Sequence, residues 1–203
     1  MEPIEFDIFY DYSCPFVYRV AQMLETVAAS GERDIKPKWR YFSLTQVNSK
    51  EADWTVWGAP DTEPVRGRLA FMAAEAARRQ RGFDAIHLAL LHARHRDLRD
   101  VDDPEVLVDI AAQAGLDGDR FRSDLSDRTS LDALARDHQD GRSSHGVFGT
   151  PTLVFDNGGA AYVRLAQAPG PADAVRIFDR IVSIAAGEAD ILEIKRPRKP
   201  TPD

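Results

Sequence analysis

The chain has 203 residues, of which 43% are hydrophobic and 29% are charged, and this composition is typical of a folded globular protein. Its formal net charge of −7 gives no broad attraction to nucleic acid or to an anionic membrane, so neither is expected as a partner. Residues 1–5 lack the basic and apolar regions typical of a signal peptide, and no apolar run of about 18 residues follows, so no membrane-spanning segment is expected. The single cysteine, Cys14, excludes an internal disulfide and favours a reducing, cytoplasmic setting.

The first predicted elements form a β-α-β unit. Alternating apolar side chains predict a strand over 4–10, and a second strand-like run covers 35–42. A helix is expected between them, ending at Ser30-Gly31. Its apolar face comprises Val17, Val20, Ala21, Leu24, Val27 and Ala28. Because crossovers of this kind are right-handed, the two strands should run parallel.

Cys14 stands where the first strand gives way to this helix. Pro15 suits the first helical position, since its missing N–H would be unpaired there anyway. A cysteine at a helix start lies beside unpaired N–H groups and the positive end of the helix dipole, which favour the thiolate. The sequence therefore predicts a reactive thiol, although a lone cysteine can also be a small buried apolar residue.

The middle of the chain changes from loop-like to helical composition. Residues 43–62 are predicted to be irregular, with Trp54 and Trp57 packing the loop onto the domain or facing a pocket. From about 65 to 146 the apolar spacing is helical throughout. Helix boundaries within this region are predicted at Asp103-Pro104, at Gly115 and at Thr129 or Ser130.

The strand signal returns near the C-terminus. A strand is predicted over 152–155, followed by a turn over 156–159 and a returning strand over 161–165. A last helix is expected to begin near Pro171. The basic, proline-rich residues 195–200 are interpreted as a solvated terminus.

The histidines carry weaker signals. Of His87, His92 and His95, only the last two share a helix face, so a packing role is favoured over a metal site. His145 is considered as a base that could approach Cys14. No motif for a nucleotide cofactor is present.

Two motifs together resemble the DsbA-like branch of the thioredoxin superfamily. They are Asp-Tyr-Ser-Cys-Pro-Phe at 11–16 and Phe-Gly-Thr-Pro-Thr at 148–152, separated by the long helical region. The resemblance implies an α/β, thioredoxin-like fold with an inserted all-helical subdomain, and a cis Thr150–Pro151 bond that faces Cys14. The implied ranges are 1–62 and 147–190 for the thioredoxin-like domain, 63–146 for the insertion and 191–203 for the tail.

Within this family the first motif resembles those of the FrnE-like oxidoreductases and of the 2-hydroxychromene-2-carboxylate isomerases, which are related to kappa-class glutathione transferases. Dithiol relatives carry a second cysteine where this chain has Val17. The isomerase branch usually has serine where this chain has Cys14. The chain is therefore similar to a monothiol intermediate between the two groups.

The resemblance implies a thiol–disulfide oxidoreductase in which Cys14 is the catalytic residue. The residues expected to contact the substrate are Ser13, Pro15, Phe16, Thr150 and Pro151. No metal or tightly bound cofactor is expected. Since Val17 cannot resolve a mixed disulfide, a low-molecular-weight thiol is the implied cosubstrate: glutathione, mycothiol or bacillithiol.

Two alternatives stay open. In the first, the protein is a glutathione-dependent transferase or isomerase, in which residue 14 orients a bound thiolate and Ser13 donates a hydrogen bond. In the second it is a redox sensor or binding module without catalysis, with Cys14 reversibly oxidised. A small thiol or disulfide is the expected partner, and a homodimer is compatible with the sequence, which does not itself determine the oligomeric state.

Overall fold

The computed structural model describes residues 2–196, in which a four-stranded mixed sheet lies between layers of helices. Strand β1 (Ile4–Tyr10) pairs in parallel with β2 (Ile35–Tyr41) and antiparallel with β3 (Thr152–Phe155). Strand β4 (Ala160–Tyr162) pairs antiparallel with β3, so the order across the sheet is β2-β1-β3-β4. The predicted parallel pair and the strand over 152–155 are confirmed.

The returning strand differs from its predicted bounds of 161–165. Pairing starts earlier because the Phe155 N–H donates to the Gly159 carbonyl, so the turn closes and Ala160 already faces Val154. Pairing also ends earlier. After Tyr162 the chain turns toward the start of the first helix, where the Arg164 guanidinium lies 4.1 Å from the centre of the Phe16 ring.

Helices α1 (Pro15–Ser30) and α8 (Pro171–Val182) cover one face of the sheet. Strand side chains that point to this face, such as Phe6 and Ile8, are buried with apolar residues of both helices. Gly31 ends α1 in a left-handed conformation, as the Ser30-Gly31 signal predicts. A single π-helical turn, Ser183–Gly187, follows α8.

The region between 65 and 146 contains only helical elements, as predicted. Its five α-helices are α3 (Arg68–Arg79), α4 (Phe83–His95), α5 (Pro104–Gln113), α6 (Gly118–Leu125) and α7 (Leu131–His145), and a 3₁₀ turn, Arg128–Ser130, precedes α7. Asp103 caps α5 by accepting the Glu105 N–H. Ser130 precedes α7, but its hydroxyl donates to the Asp127 carbonyl instead of capping the helix.

Helix α7 packs on the second face of the sheet. Gly141 makes this approach possible, since a Cβ there would lie 2.7 Å from the Phe9 ring. Arg40 of β2 then bonds to Asp137 and Asp140 of α7 and to Asp7 of β1. The end of the helical region is therefore anchored to the sheet. The division of the chain into a thioredoxin-like domain and an inserted subdomain, with the ranges given above, stays a prediction.

Residues 43–62 are less irregular than predicted. A short helix, α2 (Leu44–Asn48), begins there because the Ser43 hydroxyl accepts the Gln46 N–H. No helix among residues 2–196 is long and apolar enough to cross a membrane. Residues 197–203 of the predicted tail lie outside the described part of the chain.

Candidate active site around Cys14

All four strands contribute to one edge of the sheet. Because β1 and β2 are parallel, both end at this edge, with Cys14 just beyond β1 and α2 just beyond β2. Since β3 runs antiparallel to β1, its start lies at the same edge, directly after Thr150 and Pro151. Strand β4 ends there at Tyr162. Residues that are far apart in the sequence therefore meet next to Cys14.

Cys14 is the residue immediately before α1, and Pro15 is the first residue of that helix, as predicted. No acidic side chain lies in the first turn of α1 to oppose a negative charge on the sulfur. The side chain of Cys14 is mostly buried, with 4% exposed. Its Sγ donates to the Thr150 carbonyl at 3.3 Å, and the Thr150–Pro151 bond is cis. The predicted contact between the two motifs is confirmed.

Cys14 opens into a groove of about 820 Å³. Five of the six predicted site residues line it, namely Ser13, Cys14, Pro15, Phe16 and Thr150. Pro151 does not line the groove; it is buried, and its carbonyl accepts the Val163 N–H at 3.0 Å. The other lining residues are Leu44, Thr45, Val47, Asn48, Ser49, Glu51, Trp54, Glu63, Arg66, Phe148, Gly149, Tyr162 and Arg164.

One wall of the groove comes from α2 and the loop that follows it. Trp54 belongs to this wall, and its indole Nε1 donates to Glu63 Oε1 at 2.9 Å. Trp57 instead packs inward, 5.5 Å from the His138 ring. The two tryptophans therefore differ: Trp57 fits the predicted packing role, and Trp54 lines the site.

The opposite wall comes from the β3–β4 hairpin and the residues next to it. Phe148 is 68% exposed and Tyr162 is 39% exposed, with ring centres 5.0 Å apart. Gly149 lies under Tyr162, since a Cβ there would be 3.2 Å from the ring. Sequence reasoning did not assign Phe148, Tyr162 or Arg164 to the site. The signal that could have found them is their position beside the ends of β3 and β4.

Asp11 joins the Cys14 loop to the α2 wall. Its carboxylate is buried, with Oδ1 accepting the Ser13 N–H and Oδ2 accepting the Leu44 N–H, each at 2.7 Å. Burial raises the pKa of Asp11, although these bonds and the nearby Arg66 act in the opposite direction. The Asp11 side chain therefore links the Cys14 loop to the α2 wall of the groove. The sequence indicated Asp11 only as a member of the motif at 11–16, and it did not predict the linking role of this residue.

Helix α4 anchors the Cys14 loop through Tyr12. The Tyr12 hydroxyl is hydrogen-bonded to His87 Nδ1, and the Tyr12 carbonyl is hydrogen-bonded to His95 Nε2, both at 2.9 Å. The rings of His92 and His95 each lie 5.5 Å from the Tyr18 ring. The packing role that the sequence favoured for His92 and His95 is therefore found, at the contact between α1 and α4. Residues 2–196 contain no cluster of side chains arranged to hold a metal ion.

His87 makes this anchor sensitive to acid. Burial lowers the pKa of His87 to about 3, so between that value and its ordinary value the unfolded chain binds more protons than the folded one. We expect the free energy of unfolding to fall as the pH drops below about 6.5, by about 2 kcal/mol at pH ~5 from His87 alone. Urea unfolding at neutral and acidic pH measures this loss.

The matched variant for that measurement is His87→Gln, which keeps an acceptor for the Tyr12 hydroxyl and does not titrate. The variant should lose less stability on acidification than the natural chain. It should retain a smaller loss, because burial also lowers the pKa of His138, to about 4. Equal acid sensitivity of the two proteins would contradict this explanation.

His145 does not lie among the residues that line the groove. Its Nε2 is 3.7 Å from Asp140 Oδ2, and its ring lies 5.8 Å from that of Phe9. Both partners belong to the contact between α7 and the sheet. The suggested approach of His145 to Cys14 as a base therefore finds no support in the geometry.

Comparisons with known proteins agree with this architecture. A family model described as a DSBA-like thioredoxin domain matches residues 5–170. A solved structure of a probable DsbA oxidoreductase from Streptomyces coelicolor is 21% identical, with 98% of this chain and 97% of that chain covered and a TM-score of 0.63. DsbA from Pseudomonas aeruginosa is 18% identical, with 92% and 86% covered and a TM-score of 0.59. At these identities the structures show a shared fold.

The curated relatives are longer proteins. Na(+)/H(+) antiporter NhaA 3 of Salinispora tropica is 30% identical over 156 residues, which are 77% of this chain and 20% of that protein. Na(+)/H(+) antiporter NhaA 1 of Salinispora arenicola is 32% identical over 148 residues, 73% of this chain and 19% of that protein. The chain thus spans about a fifth of the length of the curated relatives it matches.

Proposed function

The chain belongs to the DSBA-like thioredoxin domain family, and we propose that it is a thiol–disulfide oxidoreductase that works with a single cysteine and an external thiol. The observation that carries the proposal is the Cys14 thiol at the start of α1, open to a groove and 3.3 Å from the Thr150 carbonyl. The narrower resemblance to the FrnE-like branch stays a prediction.

In the first step the Cys14 thiolate attacks one sulfur of a disulfide R–S–S–R′. A bond forms between Cys14 Sγ and the R′ sulfur, the original S–S bond breaks, and RS⁻ leaves and takes a proton from water. Cys14 immediately precedes α1, and no acidic side chain lies in the first turn of that helix to repel the thiolate. The backbone of Thr150 lies beside the reacting sulfur and is available to hold the substrate.

The second step needs a thiol from outside the chain. Val17 occupies the position from which a second cysteine would attack, and Cys14 is the one cysteine present. An external thiolate R′S⁻ therefore attacks the R′ sulfur of the mixed disulfide, which releases Cys14 as thiolate and forms R′–S–S–R′. The balanced reaction is RSSR′ + R′SH → RSH + R′SSR′. Glutathione, mycothiol and bacillithiol are the proposed thiols, in a reducing, cytoplasmic setting.

Turnover of a small disulfide tests this function. Hydroxyethyl disulfide is incubated with glutathione to form its mixed disulfide, and glutathione disulfide production is followed with glutathione reductase and NADPH. We expect a rate that increases linearly with protein concentration. A rate equal to that of buffer, also with a bacillithiol or mycothiol mixed disulfide, would remove the oxidoreductase proposal.

The groove itself favours one second candidate, a glutathione-dependent transferase or isomerase. Its volume of about 820 Å³ falls in the range of small-molecule sites and has room for a thiol and an organic substrate together. The aromatic side chains of Trp54, Phe148 and Tyr162 could contact such a substrate. Saturable binding of reduced glutathione without a covalent adduct would support this candidate.

A further inference from the structure

The groove carries two arginines that the reaction described above does not use. We propose that Arg66 and Arg164 bind carboxylate groups on either side of Cys14, so that the cosubstrate is a thiol whose sulfur lies between two carboxylates, as in glutathione. This inference rests on the proposed function, because it names the thiol that completes the cycle.

The sheet order places the two arginines on opposite walls. Arg66 belongs to the wall beyond β2, where its carbonyl accepts the Thr45 hydroxyl of α2 at 3.0 Å. Arg164 lies two residues beyond the end of β4. In the order β2-β1-β3-β4, Cys14 follows β1 and Thr150 precedes β3, so both occupy the middle of the groove. Cys14 therefore lies between the two walls to which Arg66 and Arg164 belong.

Both guanidinium groups are available to a ligand. Arg66 and Arg164 are exposed, and within residues 2–196 neither forms a salt bridge with an Asp or Glu side chain. The groove also contains Glu51 and Glu63, but Glu63 accepts the Trp54 indole N–H. Arginine is suited to this role because its planar group binds carboxylates through two N–H donors.

Two further cationic side chains, Arg19 and Arg94, lie near the residues that hold the Cys14 loop. Burial lowers the pKa of His95, and the positive charges of Arg94, Arg19 and Arg66 add to this effect although the Tyr12 carbonyl opposes it. Arg19 also donates to the Leu165 carbonyl, beside Arg164. Arg19, Arg66 and Arg164 therefore lie at the same edge as the carboxylates of Glu51 and Glu63.

The placement of the cations distinguishes the candidate thiols. Glutathione has a carboxylate at each end and its thiol between them, which matches two cations with Cys14 in the middle. Mycothiol carries no carboxylate, and the two carboxylates of bacillithiol lie together at one end of the molecule. A thiol of the glutathione type therefore satisfies both arginines at once, and the other two do not.

Steady-state kinetics of Arg66→Gln, Arg164→Gln and the double variant test the inference, with glutathione and its diethyl ester as thiols. Each single change should raise the KM for glutathione about tenfold, because a charge-assisted hydrogen bond is lost. The value of kcat should change little, and the kinetics of the ester should not change. The matched control is Arg136→Gln, which removes the same charge from an exposed residue of α7 outside the groove and should behave as the natural chain.

Two results would overturn the inference. One is an equal KM of the natural protein for glutathione and for its diethyl ester. The other is a KM for glutathione that is the same in the Arg66 and Arg164 variants as in Arg136→Gln. Either result leaves the chemistry of Cys14 in place. Absence of turnover with every thiol would instead remove the proposed function, and the arginine assignment with it.

Discussion

Replacing Cys14 with serine should reduce thiol–disulfide exchange at least about a thousandfold, to the rate in buffer. A serine hydroxyl is not ionised at neutral pH and forms no bond to a disulfide sulfur, so neither step of the proposed cycle can occur. The fold should persist, because the hydroxyl can donate to the Thr150 carbonyl as the Sγ atom does. The glutathione reductase assay gives the rate, and thermal unfolding shows that the variant is folded.

This variant also separates the two enzymatic candidates. In the isomerase branch that the first motif resembles, serine is usual at this position, so the proposed transferase or isomerase could orient a bound glutathione thiolate with either residue. A folded Cys14→Ser protein that retains its thiol-dependent activity would therefore contradict the oxidoreductase proposal and favour the second candidate. If Cys14→Ser loses both activity and folding, Cys14→Ala separates the two effects. Alanine removes the nucleophile without leaving a polar side-chain atom in this buried position.

Replacing Val17 with cysteine should create a dithiol enzyme. Val17 lies in the first turn of α1, where its N–H donates to the Cys14 carbonyl at 3.1 Å, and a thiol there has the Cys-x-x-Cys spacing. A second thiol in the chain replaces a bimolecular step by an intramolecular one, so reduction of insulin disulfides with dithiothreitol should increase by roughly two orders of magnitude. Valine and cysteine are similar in size, which limits the cost of the change in the core.

Val20→Cys is the matched control for that gain. Val20 is as fully buried in α1 as Val17, but it packs in a different apolar cluster, with Phe6 and Ile8, and it lies about one turn farther along the helix from Cys14. The control therefore adds one buried thiol that cannot resolve the mixed disulfide. Equal insulin reduction by the natural chain and Val17→Cys, or an equal gain in Val20→Cys, would show that position 17 does not limit the reaction.

The fold was predictable wherever local signals agreed with the final packing. The alternation over 4–10, the Pro15 start and the Gly31 end of α1 are properties of neighbouring residues, and all appear in the structure. The contact between Cys14 and Thr150 followed from the resemblance, since the two residues are 136 positions apart. A contact between residues so far apart in the sequence cannot otherwise be predicted from a single sequence.

The rest of the groove depends on tertiary placement. Trp54, Tyr162 and Arg164 stand in segments whose local patterns indicate only a loop and a short strand, and their approach to Cys14 results from the sheet order. The predicted strand continues past the end of β4 because the apolar residues after Tyr162 extend the alternation beyond the point where the chain turns away. The Asp11 bond to Leu44 crosses between two loops and has no sequence signal.

The central claim is that Cys14 forms a mixed disulfide that needs an external thiol for release. Intact mass spectrometry of the reduced protein after exposure to oxidised glutathione, removal of the excess and later addition of reduced glutathione measures this directly. The account predicts one glutathionyl group per chain, stable after the excess is removed and lost when the thiol is added. Absence of an adduct on the folded protein, or an adduct that disappears without added thiol, would contradict it.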